Sequence, residues 1–373
     1  MPERKPILPD DRPTSECMTR EKLPPCRRYL STGSTLLDLA IADRYPGGVG
    51  SGRITHIYGD SSTAKTVLAQ EILGSAQRAG GYAVFEDSEY TLDFGRARDL
   101  FGLRISAEWD DDDFVADAIA SKVVEAVGSD PEFLYRVPDT VESLYDDEIG
   151  PLIELSQGGK IPRPVAVAVD SMSALASVAE QSERLDKGSY GTSRAKANSA
   201  AFRKYIRRLA TSEVAVVVID QTREKIGVLF GSSKTVSGGN AIKFYASTRV
   251  ILRHAGDLKN KAEKTVGVKI KFKIEKNKIG PPMREGFFYV VFEYGVDDLR
   301  ANIEWLADKA RDSAMELKGS WLAWKGENLG QGIEAAIAKA EALGLEGAIA
   351  AEVARVWAIE HAAEPRKRRH SDE

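Results

Sequence analysis

The run Gly59-Asp60-Ser61-Ser62-Thr63-Ala64-Lys65-Thr66 places small polar residues, a lysine and a threonine between an apolar strand and the amphipathic stretch VLAQEILGSAQRAG. In that setting backbone N–H groups and a helix N-terminus cradle phosphates, Lys65 reaches their oxygens, and Thr66 offers its hydroxyl to Mg²⁺. Ala64 stands where the phosphate-loop pattern has glycine. Where the backbone needs a positive φ, a Cβ there costs about 1 kcal/mol and crowds the phosphates. Two acidic strand ends support the site. VAVAVD sets Asp170 at the carboxyl end of a buried strand, where open α/β sheets bind ligands and where an aspartate holds the Mg²⁺ shell. Phe85-Glu86-Asp87-Ser88-Glu89 ends another strand with three acids, one of which can orient and deprotonate an attacking water. Alone, such acids serve as helix caps or surface groups; beside Lys65 and Thr66 they describe a nucleotide-hydrolysing site.

A second chemical stretch runs from Ile219 to Arg249. An apolar strand, Val214–Ile219, leads into a glycine-rich loop carrying Lys225, Ile226, Val228, Leu229, Phe230 and Lys234, and a helix-like run from Asn240 to Ser247 follows. Cations beside apolar side chains on such a loop suit a charged, stackable partner, because cations neutralise phosphates while apolar groups wedge between bases. A lid over a small-molecule site is the plainer alternative.

The elements that must position these groups are those of a parallel α/β sheet. Core strands read at Ile54–Tyr58, Tyr82–Glu86, Val165–Val169 and Val214–Ile219, with further strand-like runs at Arg249–Arg253, Val268–Lys276 and Phe287–Phe292. Ser34 is a good N-cap for a helix over Thr35–Ile41. Residues 1–30 are proline-rich and without periodicity, an extended arm. The core extends over residues 31–298, with an insertion at about 104–132 whose WDDDD places acids at the start of a helix, FVADAIASKVVEAVG. A small α+β domain, mostly helical and broken by Gly319 and the turn KGENLGQG, follows at 299–360, and a mixed-charge tail occupies 361–373. Across 373 residues the net charge is −4, with 43% hydrophobic and 29% charged residues, so a nucleic-acid surface must be a local patch on an acidic body. Two cysteines, Cys17 and Cys26, no apolar leader and no apolar run near the roughly 18 residues that span a bilayer lead us to expect a soluble, cytoplasmic protein.

The motifs STGSTLLDLAI, GRITHIYGDSSTAKT, FEDSEYTLD, VAVAVDSMSAL, IDQTREKIGVLFG, SGGNAIKFYAS, KIEKNKIGPP and WLAWKGENLGQG lie in order over about residues 30–345. Together they resemble the RecA family of bacterial and phage recombinases; KIGVLFG and GGNAIKFYAS separate that family from general phosphate-loop ATPases. The resemblance implies an α/β RecA-like core, binding of ATP and Mg²⁺, helical filaments on single-stranded DNA, and pairing and strand exchange with homologous duplex DNA. It assigns Glu89 as general base and Gln221 as the group that senses the γ-phosphate and relays it into the following loop. Lys276 and Lys278 would reach the neighbouring protomer's ATP. Ile226 would wedge between base triplets, with Arg223, Lys225, Gly238, Gly239 and Asn240 along the DNA backbone. The first DNA loop would lie near Lys187–Gly191, with Tyr190 able to stack on a base and Arg194 and Lys196 just after it. Phe244 would pack across the contact between protomers.

The chain departs from the family at Ala64 and at Arg96, which stands where the family stacks a tyrosine on adenine, three residues after the aspartate matched by Asp93. The insertion at 104–132 has no family counterpart, and the proline-rich start replaces an N-terminal docking helix and strand. Two alternatives to a recombinase follow: an ATP-binding single-stranded-DNA coat or mediator protein with little hydrolysis, and a ring-forming motor of the same fold.

Overall fold

The computed structural model describes residues 26–128, 130–182, 190–224, 234–236, 241–309 and 311–362. The chain enters through strand β1 (Tyr29–Leu30), which pairs antiparallel with β2 (Val49–Gly50), so the last residues of the stretch read as an extended arm are held against the core. Between them lies helix α1 (Thr35–Ala42). Ser34 caps it by accepting a hydrogen bond from the Leu37 amide, as its sequence foretells.

The central sheet is built from β3 (Ile54–Gly59), β4 (Tyr82–Asp87), β5 (Phe133–Arg136), β6 (Val165–Asp170) and β7 (Val214–Glu224), all mutually parallel. Helix α2 (Lys65–Arg78) links β3 to β4 and packs on β4 and β6. Every residue of β6 is buried, which explains why VAVAVD carries no polar alternation. Burying each of its valines contributes roughly 1.5–3 kcal/mol. Past β7 come β8 (Lys234–Val236), helix α10 (Ala241–Tyr245), β9 (Thr248–Lys259), β10 (Thr265–Asn277), β11 (Glu285–Val291) and β12 (Gly295–Val296). The resulting order is β12-β11-β10-β9-β3-β7-β6-β4-β5, with β9 parallel to β3 and antiparallel pairing outward from β9.

Two differences from the sequence reading bear on function. Strand β7 does not stop at Ile219 but runs to Glu224, and its last residues pair with β8, Thr222 opposite Val236 and Glu224 opposite Lys234. The glycine-rich stretch is therefore carried on a hairpin stem; residues 225–233 and 237–240 lie outside the described residues.

The 104–132 stretch, in turn, holds two α-helices rather than one, α4 (Asp112–Ala120) and α5 (Val123–Ala126), preceded by α3 (Phe94–Phe101) and a 3-10 turn at Ala107–Asp110. Asp111 caps α4 and Asp112 and Asp113 occupy its first turn, the helix-start role expected of these acids. The break has a cause: the buried Arg136 of β5 donates to the carbonyls of Ala118 and of Ser121 (2.9 Å for the latter). Arg136 is held in turn by Glu148, at 2.9 and 2.7 Å, from a π-helical segment, Leu144–Ile149, that leads through α7 (Gly150–Gln157) to β6. Trp109 is buried among Phe94, Phe114, Phe133 and Tyr135 and donates to Asp130 at 3.1 Å. The insertion is thus packed into the core at the β5 edge.

At the C-terminal end, helix α11 (Asp298–Asp308) is followed by β13 (Met315–Lys318), β14 (Trp321–Trp324) and β15 (Glu327–Gln331), a three-stranded antiparallel sheet, and then by two helices, Ile333–Ala342 and Glu346–Glu360. The sequence reading had this part mostly helical. Gly319 and Gly326, both at positive φ, turn the chain between strands too short to show their period.

Candidate nucleotide and nucleic-acid site

Strand β3 ends at Gly59 because nothing larger fits: a Cβ there would meet the Leu252 carbonyl oxygen at 2.5 Å and Thr63 Oγ1 at 2.9 Å. The chain then turns through Ser62 (φ 58°) and Ala64 (φ 62°, ψ 25°), both left-handed, and enters α2 at Lys65. Ala64 therefore occupies a conformation suited to glycine, as its place in the motif warned. Lys65 is buried and folds across the loop, its Nζ donating to the Asp60 carbonyl at 2.7 Å and to Thr63 Oγ1 at 3.5 Å. Burial lowers the Lys65 pKa, against the attraction of Asp170, Asp60 and Glu89. Thr66 donates its hydroxyl to Asp170 Oδ2 at 2.6 Å. Burial pushes the Asp170 carboxyl up to about 6, despite the Thr66 hydrogen bond.

The three acids of FEDSE part company because strand residues alternate between faces. Glu86 turns into the core with no hydrogen-bond partner among the described residues, and burial, with Glu148 nearby, raises its pKa well above the usual carboxylate range. Asp87 braces the turn after β4, accepting from the amides of Glu89, Thr91 and Leu92 at 3.1, 2.8 and 2.9 Å. Glu89 alone lines the cavity with the phosphate loop, and Ser171 donates to its Oε1 at 2.6 Å. Ser171 is itself held by Ser88, whose hydroxyl donates to its carbonyl at 2.7 Å. These two serines escaped the sequence reading, although each neighbours an acid that it named. Gln221, the residue of β7 opposite Gly59, completes a cavity of about 250 Å³ with residues 61–67, Glu89 and Asp170. The next residue, Thr222, donates to Asp60, tying the hairpin stem to the phosphate loop. Thr66 and Asp170 are hard oxygen donors on one side of this cavity, the donor set that Mg²⁺ takes when phosphates and water supply its remaining ligands.

A second cavity, about 210 Å³, shares Ser62, Ala64 and Val67 with the first. Its far walls are Leu100 and Phe101 of α3 and the end of β11 with Phe292 and Glu293; Arg96 stands at the rim. A cradle for phosphates that opens into an apolar slot has the shape of a nucleoside triphosphate. Asp93 caps α3 by accepting from the Arg96 amide at 2.9 Å. Another cavity, near 470 Å³, lies at the opposite end of the sheet between Arg28, Lys160, Arg163 and Glu213 and holds none of these groups.

Of the remaining residues named from sequence, Lys276 donates its Nζ to the carbonyls of Lys243 and Phe244, both at 2.7 Å, closing the end of α10. Desolvation, with Lys278 and Arg249 adding repulsion, lowers its pKa to about 8. Lys278 follows β10 and is exposed. Phe244 is 72% exposed, so core packing is not its role. Tyr190 begins helix α9 (Tyr190–Ala210) rather than sitting within the preceding loop. On α9, Arg194 donates to the carbonyls of Ser173 (3.0 Å) and Leu175 (3.5 Å), whereas Lys196 is exposed. Arg223 lies on the β7 stem; Lys225, Ile226, Gly238, Gly239 and Asn240 lie outside the described residues.

Comparison with known proteins gives this geometry a lineage. The family model described as "RecA N-terminal domain" matches residues 25–109 and 117–297. The chain belongs to the RecA family. The gap in that match covers only residues 110–116, so most of the stretch at 104–132 read as an insertion without a counterpart is matched by the family after all. Similar relatives, each named Protein RecA, come from Syntrophobacter fumaroxidans (35% identical, covering 82% of this chain and 77% of the relative), Thermus thermophilus (36%, 84% and 80%) and Rubrobacter xylanophilus (37%, 82% and 77%). Membership fits a role in DNA recombination and repair with ATP and DNA binding. No helix among the described residues is long and apolar enough to cross a membrane.

Proposed function

We propose that this RecA-family chain is an ATP-dependent recombinase that binds single-stranded DNA, assembles into a helical filament, and pairs and exchanges strands with homologous duplex DNA. The observation that carries the reading is the double duty of β7. Its Gln221 faces the phosphate cavity beside Lys65, Glu89 and Asp170, and its continuation is the stem of the loop bearing Lys225 and Ile226. Presence or absence of a γ-phosphate at Gln221 thereby shifts the strand that presents the DNA loop.

Within the cavity Lys65 and the loop amides hold the triphosphate, and Glu89, oriented by Ser171, takes the proton of the attacking water. Bound through Thr66 and Asp170, Mg²⁺ supplies charge neutralisation for the phosphates. Assembly completes the site: Lys276 and Lys278 leave their own protomer's surface for the neighbour's phosphates, and the exposed Phe244 is covered by the protomer contact. The substitution Lys65→Ala tests the reading. We expect loss of ATP-dependent assembly on single-stranded DNA in negative-stain images; filaments formed with ATP by that variant overturn it.

One observation favours a second reading. Ala64 holds a left-handed conformation and its methyl lines both cavities, which suits a protein that binds ATP and single-stranded DNA as a coat and turns ATP over slowly.

A further inference from the structure

The side chains that wall the slot beside the phosphate cradle are mostly apolar, Val67, Leu100, Phe101, Val268 and Phe292 among them. Polar side chains enter its lining at three points: Ser62 on the phosphate side, and Arg96 and Glu293 at the mouth. The last two form an ion pair at 3.7 Å, with side-chain exposures of 59% and 77%. Glu293 is aimed from a tight turn, at φ 62°, fixed by the Phe292 amide donating to the Val266 carbonyl (2.8 Å) and the Tyr294 amide donating to the Val291 carbonyl (3.1 Å).

We propose that Arg96 and Glu293 form a base reader whose carboxylate favours guanine, which offers it two N–H donors side by side, over adenine and hypoxanthine, which each offer one. The proposal rests on the reading of the cradle as a nucleoside-triphosphate site and adds which nucleotides it takes. An exposed pair of this kind is worth about 0–1 kcal/mol, so an entering base parts it at little cost. The planar Arg96 guanidinium then stacks on the base, a contact that does not distinguish one base from another. Discrimination falls to Glu293. An ionised carboxylate only accepts hydrogen bonds. It takes one N6 amino hydrogen of adenine or the single N3–H of uracil, but the N1–H and N2 amino group of guanine together. Hypoxanthine, which keeps the N1–H but lacks the amino group, forfeits one of guanine's two bonds.

The test is competition of ATP, GTP, ITP and UTP against a fluorescent ATP analogue bound to the full chain with Mg²⁺. GTP should compete about threefold to fivefold better than ATP and ITP, up to the roughly 1 kcal/mol that a contact at an exposed carboxylate is worth, and UTP no better than these two. Glu293→Gln, which exchanges one acceptor oxygen for a donor at an exposed position, no longer presents two acceptors to guanine and should bring GTP to within about twofold of ATP and ITP. Arg96→Ala should weaken all four alike. GTP competing no better than ITP, or a Glu293→Gln protein with unmoved ratios, overturns the proposal and leaves the cradle intact. Failure of the analogue to bind at all overturns the cradle reading beneath it.

Discussion

Replacing Ala64 with glycine separates strain in the phosphate loop from its chemistry. At φ 62° and ψ 25° the alanine Cβ crowds the following carbonyl, a cost of about 1–2 kcal/mol for an L-residue in that region. Glycine removes it, and at the N-cap of α2 glycine is also the better residue. Against this stand the greater freedom of glycine in the unfolded chain, about 0.4–1 kcal/mol, and the lost burial of a half-buried methyl, at most about 0.8 kcal/mol. The balance is a gain of about 0.5 kcal/mol, or roughly 1–2 °C in Tm for a protein of this size. Because the same methyl lines both the phosphate cavity and the base slot, its removal should also tighten ATP binding and raise turnover. Thermal unfolding and titration with a fluorescent ATP analogue read the two effects independently. A fall in Tm of more than about 3 °C would show that the methyl's packing outweighs its strain. Unchanged nucleotide affinity would show that the methyl does not crowd the phosphates.

Other expectations follow from the same coordinates. Lys276 is charged below its lowered pKa of about 8, and a charge is what a neighbour's phosphates require. ATP-dependent assembly at limiting protein concentration, which starts from the free protomer, should therefore weaken as pH rises through about 8, and Lys276→Arg, whose charge persists to higher pH, should carry assembly beyond that limb in sedimentation followed against pH. Glu86 is buried with a raised pKa, so it holds its proton in the folded state, and wild-type stability is lost as pH rises from the usual carboxylate range through that raised value. Glu86→Leu should stabilise the fold by about 1–4 kcal/mol, more at pH 8 than at pH 5, in urea unfolding at the two pH values; equal gains at both would contradict a protonated Glu86. Ile226→Ala should spare ATP binding and weaken single-stranded DNA binding in a fluorescence titration at fixed salt, with unchanged affinity removing Ile226 from the interface.

What could be read from the sequence was local. The phosphate loop, Asp170 and the caps at Ser34 and Asp111 depend on contiguous residues with fixed stereochemistry, and each lies where its neighbours put it. The base slot was legible only through Arg96, because its walls come from the start of α2, from α3 and from the end of β11, segments brought together by the sheet order. Glu293 gave no local signal at all. Strand β5, four residues long and soon followed by Pro138, was too short for its period to emerge, so nothing in the sequence marked Arg136 as the buried anchor of the 104–132 stretch. The hairpin stem was missed because Thr222, Arg223 and Glu224 are polar, and their pairing depends on β8 ten residues further on. Family resemblance supplied the roles of Gln221, Lys276 and Phe244, which composition and periodicity left open; the exposure of Phe244 is what a protomer contact requires.

ATP hydrolysis by the purified chain, with and without single-stranded DNA and over a range of protein concentrations, is the most direct test of the central claim. Turnover that DNA stimulates, and that rises cooperatively with concentration, is the predicted result, because Lys276 and Lys278 then complete sites between protomers. Tight DNA binding with negligible turnover at every concentration would contradict the recombinase reading and leave an ATP-binding coat protein with a strained phosphate loop.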